Sequence, residues 1–296
     1  MNAQEVPNLE EMDEREATRL LRELASDLSA EKEFAIRHAE DYVMEMPQSG
    51  ERFRGRENMR VFQEAFPANS NPPSIRISRV VVRDGLWVVQ SVIDYGGGRV
   101  SHGAAILELK DGRVWRDTRY FADPFEAPEW RAHLVERMEP GEPDTALAQD
   151  EPIAAAENDP DESELRKLVE RSWEKVLAGD FVGAHEWYDD AVVVEWPQSG
   201  ERIRGKENLL ALRKSYPAGV RFEMRRMIVR QGLCVSEYII RYDGNPVYVV
   251  AIVEFAGTKV VRETHYFADP FPPTRVAGAL GRANGNRLRR SKETGL

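Results

Sequence analysis

The clearest helical periodicity lies at residues 162–177, where Leu165, Leu168, Val169, Ser172, Trp173, Val176 and Leu177 share one face. Asp161 stands ahead of that stretch as an N-cap, Glu164 completes a capping box, and Gly179 supplies the stop. A shorter helix is expected over 181–188, a strand over 191–196, a turn at Pro197-Gln198-Ser199-Gly200, a return strand over 201–204 and a third helix over 207–215. The pattern then changes from a helical to an alternating period. Four strands are predicted at 221–229, 233–242, 247–255 and 260–267, separated by turn signals at Gln231-Gly232, Asp243-Gly244 and Gly257.

The same order occurs upstream. Leu20, Leu21, Leu24 and Leu28 open a helix, and strands are predicted at 75–82, 86–95, 100–110 and 113–121, with turns at Asp84-Gly85, Gly96–Gly98 and Asp111-Gly112. Residues 47–58 read PQSGERFRGREN and residues 197–208 read PQSGERIRGKEN, identical at ten of twelve positions. YFADPF at 120–125 returns unchanged at 266–271. Two identities in the same order, with matching patterns around them, identify a duplication of a whole domain rather than a solenoid repeat.

The 296 residues therefore divide into a first copy (12–138), a linker (139–161), a second copy (162–272) and a tail (273–296). Residues 139–162 hold four prolines, nine acids and no bases, which accounts for all but one unit of the net charge of −10. That composition reads as extended chain. The tail is basic, through Arg275, Arg282, Arg287, Arg289, Arg290 and Lys292, and reads as a solvated, disordered end; no nucleic-acid module accompanies it. No apolar run is long enough to span a bilayer, and the acidic start lacks the marks of a secretory signal. A single cysteine, Cys234, excludes an internal disulfide framework and fits a reducing, cytoplasmic setting.

Helices, a hairpin, a helix and a long meander make an α+β pattern. A strongly curved antiparallel sheet packed against about three helices would enclose an apolar pocket, the usual setting for a small-molecule site. The block around PQSGERxRG and the closing YFADPF, in that element order, resemble the SnoaL-like branch of the nuclear transport factor 2-like superfamily. The resemblance implies a cone-like fold, present twice. It also implies pairing through the sheets, either within this chain or in a homodimer. Its members include ketosteroid isomerases, polyketide cyclases, epoxide hydrolases and domains of no assigned chemistry, so the fold alone does not decide function.

On the epoxide-hydrolase pattern, the residue two before the first-strand proline would line the pocket; here it is Glu45 and Glu195. The acid of the middle meander strand falls on Asp94 and Arg241, the second acid on Arg119 and His265, and the arginine on Val92 and Ile239. Neither copy carries that hydrolase set. What the resemblance leaves is one polar cluster per pocket: Glu45, Asp94 and Arg119 in the first copy, Glu195, Arg241 and His265 in the second. His265 would serve as base, Glu195 as its orienting group and Arg241 as an oxyanion stabiliser. In the first copy, Asp94 would pair with Arg119. His102 and Tyr248, at equivalent strand positions, are candidates for the pocket lining. Tyr120 and Tyr266 should point away from Arg119 and His265, because strand neighbours alternate. Pro-Gln-Ser-Gly reads as turn chemistry, with Glu51 and Arg52 on an exposed hairpin. No His, Cys or acid pair has metal-ligand spacing and no glycine-rich phosphate loop follows a strand, so neither metal nor cofactor is expected. Two readings stand. One is a cofactor-independent isomerase, cyclase or hydrolase acting on an apolar carbonyl compound in the second copy; the other is a non-catalytic ligand-binding or dimerisation module.

Overall fold

The computed structural model describes residues 7–26, 30–65, 73–138, 159–217 and 219–273. Most of the acidic linker and nearly all of the basic tail lie outside the described residues, as does Leu28.

The first repeat runs α1 (Glu14–Ser26), α2 (Ala30–Ile36), β1 (Val43–Met46), β2 (Glu51–Arg54), α3 (Arg56–Ala65), β3 (Ser74–Arg83), β4 (Leu86–Asp94), β5 (Val100–Lys110) and β6 (Arg113–Ala122). A 3-10 turn, Glu129–Leu134, and a two-residue strand β7, Glu136–Arg137, follow it. The second repeat runs α4 (Glu162–Leu177), α5 (Phe181–Ala184), β8 (Tyr188–Trp196), β9 (Glu201–Arg204), α6 (Lys206–Lys214), β10 (Val220–Arg230), β11 (Leu233–Tyr242), β12 (Asn245–Ala256) and β13 (Lys259–Ala268). Asp161 caps α4 as expected, its carboxylate accepting from the Glu164 amide. None of these helices is long and apolar enough to cross a membrane.

Strand order is β2-β1-β6-β5-β4-β3 in one sheet and β10-β11-β12-β13-β8-β9-β7 in the other, the same path traced twice. The sheets are mixed rather than wholly antiparallel. β1 lies parallel to β6 and β8 parallel to β13. Alternation of side chains predicts that a segment is a strand but not its direction, which here depends on how the crossover through α3 or α6 returns the chain. The helix expected over 181–188 stops at Ala184, and Tyr188 already belongs to β8, pairing with Val260. Bulges recur at matching places, between Ile77 and Arg79 and between Met224 and Arg226, and again at Glu108/Leu109 and Glu254/Phe255. Each such irregularity increases local bend and twist, which lets a sheet curl around its helices.

One face of each sheet packs on its own helices. The other faces meet each other. Val81, Leu86, Val88, Ile106 and Tyr120 of the first repeat and Ile228, Leu233, Val235, Ile252 and Tyr266 of the second form a single buried cluster. Around it the polar contacts are reciprocal. Arg79 forks onto Glu254 at 2.5 and 2.8 Å, and Arg226, its counterpart, pairs with Glu108, the counterpart of Glu254. The Tyr120 hydroxyl donates to Glu237 at 2.7 Å, and the Tyr266 hydroxyl donates to Gln90 at 2.9 Å. Tyr120 and Tyr266 thus lie at the interface between repeats, as strand alternation predicts. This is the isologous arrangement of a two-fold dimer, built within one chain.

The repeated PQSG block also belongs to this seam. Gln48 accepts from the Phe121 amide at 2.7 Å and donates to the carbonyls of Phe121 and Asp269 at 2.8 and 2.7 Å. Gln198 makes the mirror set with Phe267 and Asp123. The exposed hairpin expected here is not found: Gln48, Gln198, Glu51, Glu201 and Arg202 are buried, and only Arg52 is half exposed. The glycine that closes the block, Gly55 or Gly205, sits at φ 82 or 86, the left-handed region that a Cβ disfavours. Its amide ties back to Tyr42 or Val192 at 2.7 or 2.8 Å before the helix starts.

Ile106 and Ile252 are fully buried in the seam from opposite sides. Truncating either to alanine is expected to cost about 2–4 kcal/mol. Because the two sheets share this core, urea denaturation should show the loss as an earlier single transition of the whole chain rather than as separate melting of one half.

Candidate functional site

Each repeat encloses a cavity between its sheet and helices, and the two are unequal. The second measures about 510 Å³ and the first about 150 Å³. The cores around them also differ in residue size at matched places. Trp87, buried in the first core, stands where the second has Cys234, and Phe53 and Phe62 stand where the second has Ile203 and Leu212. The larger volume lies within the range of drug-sized ligand sites.

The polar floor of the large cavity is built on the end of β13. Glu263 and His265 are two apart on one strand and so face the same side. The Glu263 carboxylate accepts from the Tyr188 hydroxyl at 2.6 Å and from His265 Nε2 at 3.0 Å, with Arg213 of α6 at 3.4 Å. Trp196, on neighbouring β8, donates its indole N–H to His265 Nδ1 at 3.0 Å. An indole nitrogen can only donate, so Nδ1 accepts and the partners assign His265 as the neutral Nε2–H tautomer. Neither ring nitrogen has a free lone pair. Burial acts against a charge on Glu263, but His265, Arg213 and Tyr188 outweigh it and hold the carboxyl at about 2, below its ordinary 4.5. Such an acid is a weak base at neutral pH. His185, behind Arg213, is driven down to about 4, chiefly by burial and then by Arg213.

The other second-copy candidates do not join His265. Glu195 neighbours Trp196 on β8 and points to the opposite face, where Arg202 holds it at 2.6 Å. Arg241 is partly exposed and pairs with Glu223 at 3.2 Å; its neighbours Ile240 and Tyr242 line the cavity instead. Tyr248 packs in the seam under Arg225, 5.3 Å from its ring. In the first repeat, Glu45 is clamped by Arg116 at 2.8 Å and by Arg52, outside the cavity. Burial would raise its carboxyl, and these two guanidiniums bring it below the ordinary value. Asp94 is exposed at a turn and accepts from the Gly96 amide at 2.7 Å rather than meeting Arg119. Arg119 does line the small cavity, paired with Asp117 at 2.7 Å, with Tyr42 donating to the same Asp117 at 3.1 Å. His102 faces the seam 6.4 Å from the Tyr266 ring and is pushed down to about 4 by burial and by Arg76.

Register explains these misplacements. A one-residue offset in a distant alignment turns a strand side chain to the other face, which is what separates Glu195 from Trp196 and Arg241 from Tyr242. The residues that sequence reasoning passed over are Glu263, Arg213, Tyr188, Trp196 and Tyr238. Glu263 could have been found from His265 by alternation alone; Arg213 and Tyr188 come from α6 and from the start of β8, which nothing local places beside it. Tyr238, on β11, meets the Trp173 ring edge-on at 4.8 Å and lines the cavity. Among the described residues its hydroxyl has no protein partner. Burial, and then Glu263, keep that hydroxyl protonated well above its ordinary range. No group of three or more His, Cys, Asp or Glu among the described residues is arranged to hold a metal.

Residues 27–117 match the model of the SnoaL-like domain. An NTF2-like protein of unknown function from Burkholderia xenovorans is 44% identical over 39% of this chain and 91% of its own, with a TM-score of 0.37. An NTF2-like protein of unknown function from Mesorhizobium loti is 18% identical over 38% of this chain and 98% of its own, at 0.34. An LEH-like epoxide hydrolase from M. tuberculosis is 20% identical over 36% and 85%, at 0.32. No curated protein matches the chain.

The depressed Glu263 carboxyl contributes stability that is complete above the ordinary value of 4.5 and is lost as pH falls towards about 2. Glu263→Gln removes this titration. The stability difference between wild type and variant, from urea melts, should therefore be largest near neutral pH and shrink steadily between about pH 5 and pH 2.

Proposed function

The chain belongs to the SnoaL-like, NTF2-like proteins, and on that premise we propose that its second repeat binds a small, uncharged, largely apolar molecule carrying a hydrogen-bond acceptor such as a carbonyl oxygen. The observation that carries this reading is the Tyr238 hydroxyl, a donor without a protein partner in an aromatic-lined cavity of about 510 Å³. A donor that faces an apolar cavity is worth about 0.5–1.5 kcal/mol to a ligand acceptor that meets it. Charge sets the second requirement. Arg213 and Glu263 neutralise each other and His265 is uncharged, so the floor offers no net charge to balance an ionic ligand.

The floor supports recognition better than proton abstraction. A general base needs an accessible lone pair and a pKa near the working pH. His265 has both nitrogens engaged, and Glu263 is a strong acid already taken by three donors. An isomerase, cyclase or hydrolase reading, with His265 as base, would require the ligand to displace Trp196 from Nδ1. The small cavity of the first repeat, about 150 Å³ and lined by the Arg119–Asp117 pair, supports a scaffold role for that half.

Prodan, a neutral naphthyl ketone whose emission shifts blue in apolar surroundings, is a suitable probe. The full chain should bind it with a blue shift. Tyr238→Phe should weaken prodan about 2- to 10-fold, the range of one hydrogen bond, without weakening the parent dimethylaminonaphthalene that lacks the carbonyl. Ala251→Phe, which fills the cavity from β12, should abolish both. Equal loss of the two probes on Tyr238→Phe would contradict the assigned donor.

A further inference from the structure

We infer that the segment after the first sheet, Asp123 to Arg131, is a wall of the second repeat's ligand cavity, with Phe125 as a specificity-determining contact and Arg131 as a positioning residue acting through Trp196. The inference rests on the reading of that cavity as a ligand site, and it assigns part of the site to the other half of the molecule.

Beyond Ala122 the chain crosses to the second repeat and stays there. Gln198 donates to the Asp123 carbonyl at 2.7 Å, and the Phe125 amide donates to the Gln198 carbonyl at 3.2 Å. Phe125 then sets its ring edge-on to Phe267 at 6.2 Å, and Phe267 in turn contacts the rings of Trp196 and His265 at 5.9 and 5.8 Å. Asp123, Phe125 and Arg131 all line the cavity. Phe125 is nonetheless 37% exposed, unusual for a phenylalanine, and stands at the mouth with apolar surface still open to a ligand.

Arg131 lies deeper. Its guanidinium forks onto fully buried Glu201 at 2.9 and 2.6 Å and covers the Trp196 ring, 4.4 Å from its centre. Trp196 is the residue whose N–H fixes the His265 tautomer. A bidentate fork over an aromatic face is a rigid clamp that lysine cannot reproduce. Arg131 therefore holds the indole, and through it the orientation of His265, from a segment 65 positions upstream of Trp196 in sequence. Residues Glu136 and Arg137 anchor the far end by adding β7 to the edge of the second sheet.

The mirror contact is incomplete. Phe271, the counterpart of Phe125, reaches Phe121 of the first repeat at 6.3 Å, but the sequence after Pro272 has no counterpart of Trp130 or Arg131. The larger cavity is the one that receives the full segment.

The test uses the full chain with prodan. Phe125→Ala should raise the prodan Kd about 3- to 10-fold, as expected for loss of a half-buried aromatic contact, while the thermal midpoint of the ligand-free protein stays put. Wild-type affinity in Phe125→Ala, with binding still abolished by Ala251→Phe, would overturn the wall assignment and leave the cavity reading intact. Absence of prodan binding by the wild type, or binding unaffected by Ala251→Phe, would instead overturn the cavity reading and this inference with it. Arg131→Lys keeps the charge and removes the fork. Nitrogen NMR of histidine-labelled protein, with the His265 signals assigned by their loss in His265→Gln, should show the defined Nε2–H tautomer giving way to a mixture. A lowered thermal midpoint with unchanged His265 signals would mean that Arg131 is structural only.

Discussion

The packing of the two sheets against each other is the constraint from which the rest follows. Each sheet is apolar on both faces, and one set of helices can cover only one of them. The second face needs another sheet, and the duplication supplies it in the same chain. The reciprocal pairs Arg79–Glu254 and Arg226–Glu108, and the matched hydroxyls of Tyr120 and Tyr266, fix the register of this seam. Charges buried at such a junction are tolerated only when paired with good geometry, so they specify one arrangement as much as they stabilise it.

With the seam symmetric, the halves could diverge on their inner faces. The cores differ at Trp87 against Cys234 and the cavity linings at Arg119 against His265, and the enclosed volumes are about 150 and 510 Å³. A residue in the seam touches both halves, whereas a residue on an inner face touches only its own. The PQSG block belongs to the first class. Its glutamines tie each hairpin to the last strand of its own repeat and to the departing chain of the other, which is a structural reason for the block to be alike in both copies.

The polar floor of the open cavity shows how a fixed neighbour changes the chemistry of a residue. Histidine two residues from a glutamate on one strand suggests a base and its partner. Trp196 supplies a third member from the adjacent strand and occupies the remaining nitrogen. The result is an oriented, neutral histidine with both ring nitrogens engaged.

The duplication, the α+β order, the α4 cap, the outward turn of Tyr120 and Tyr266 and the position of His265 on the cavity side of its strand were all legible in the sequence. Each depends on periodicity, local chemistry or strand alternation, which act within a few residues. The parallel pairing of β1 with β6, the company His265 keeps and the faces taken by Glu195, Arg241, His102 and Tyr248 were decided only by the tertiary structure. Those features depend on which strands become neighbours and in what register, and a shift of one residue reverses every face. The crossing of residues 123–131 to the other repeat was equally hidden. Sequence patterns assign a segment to an element, but where it docks is settled by the surfaces that two folded halves present to it.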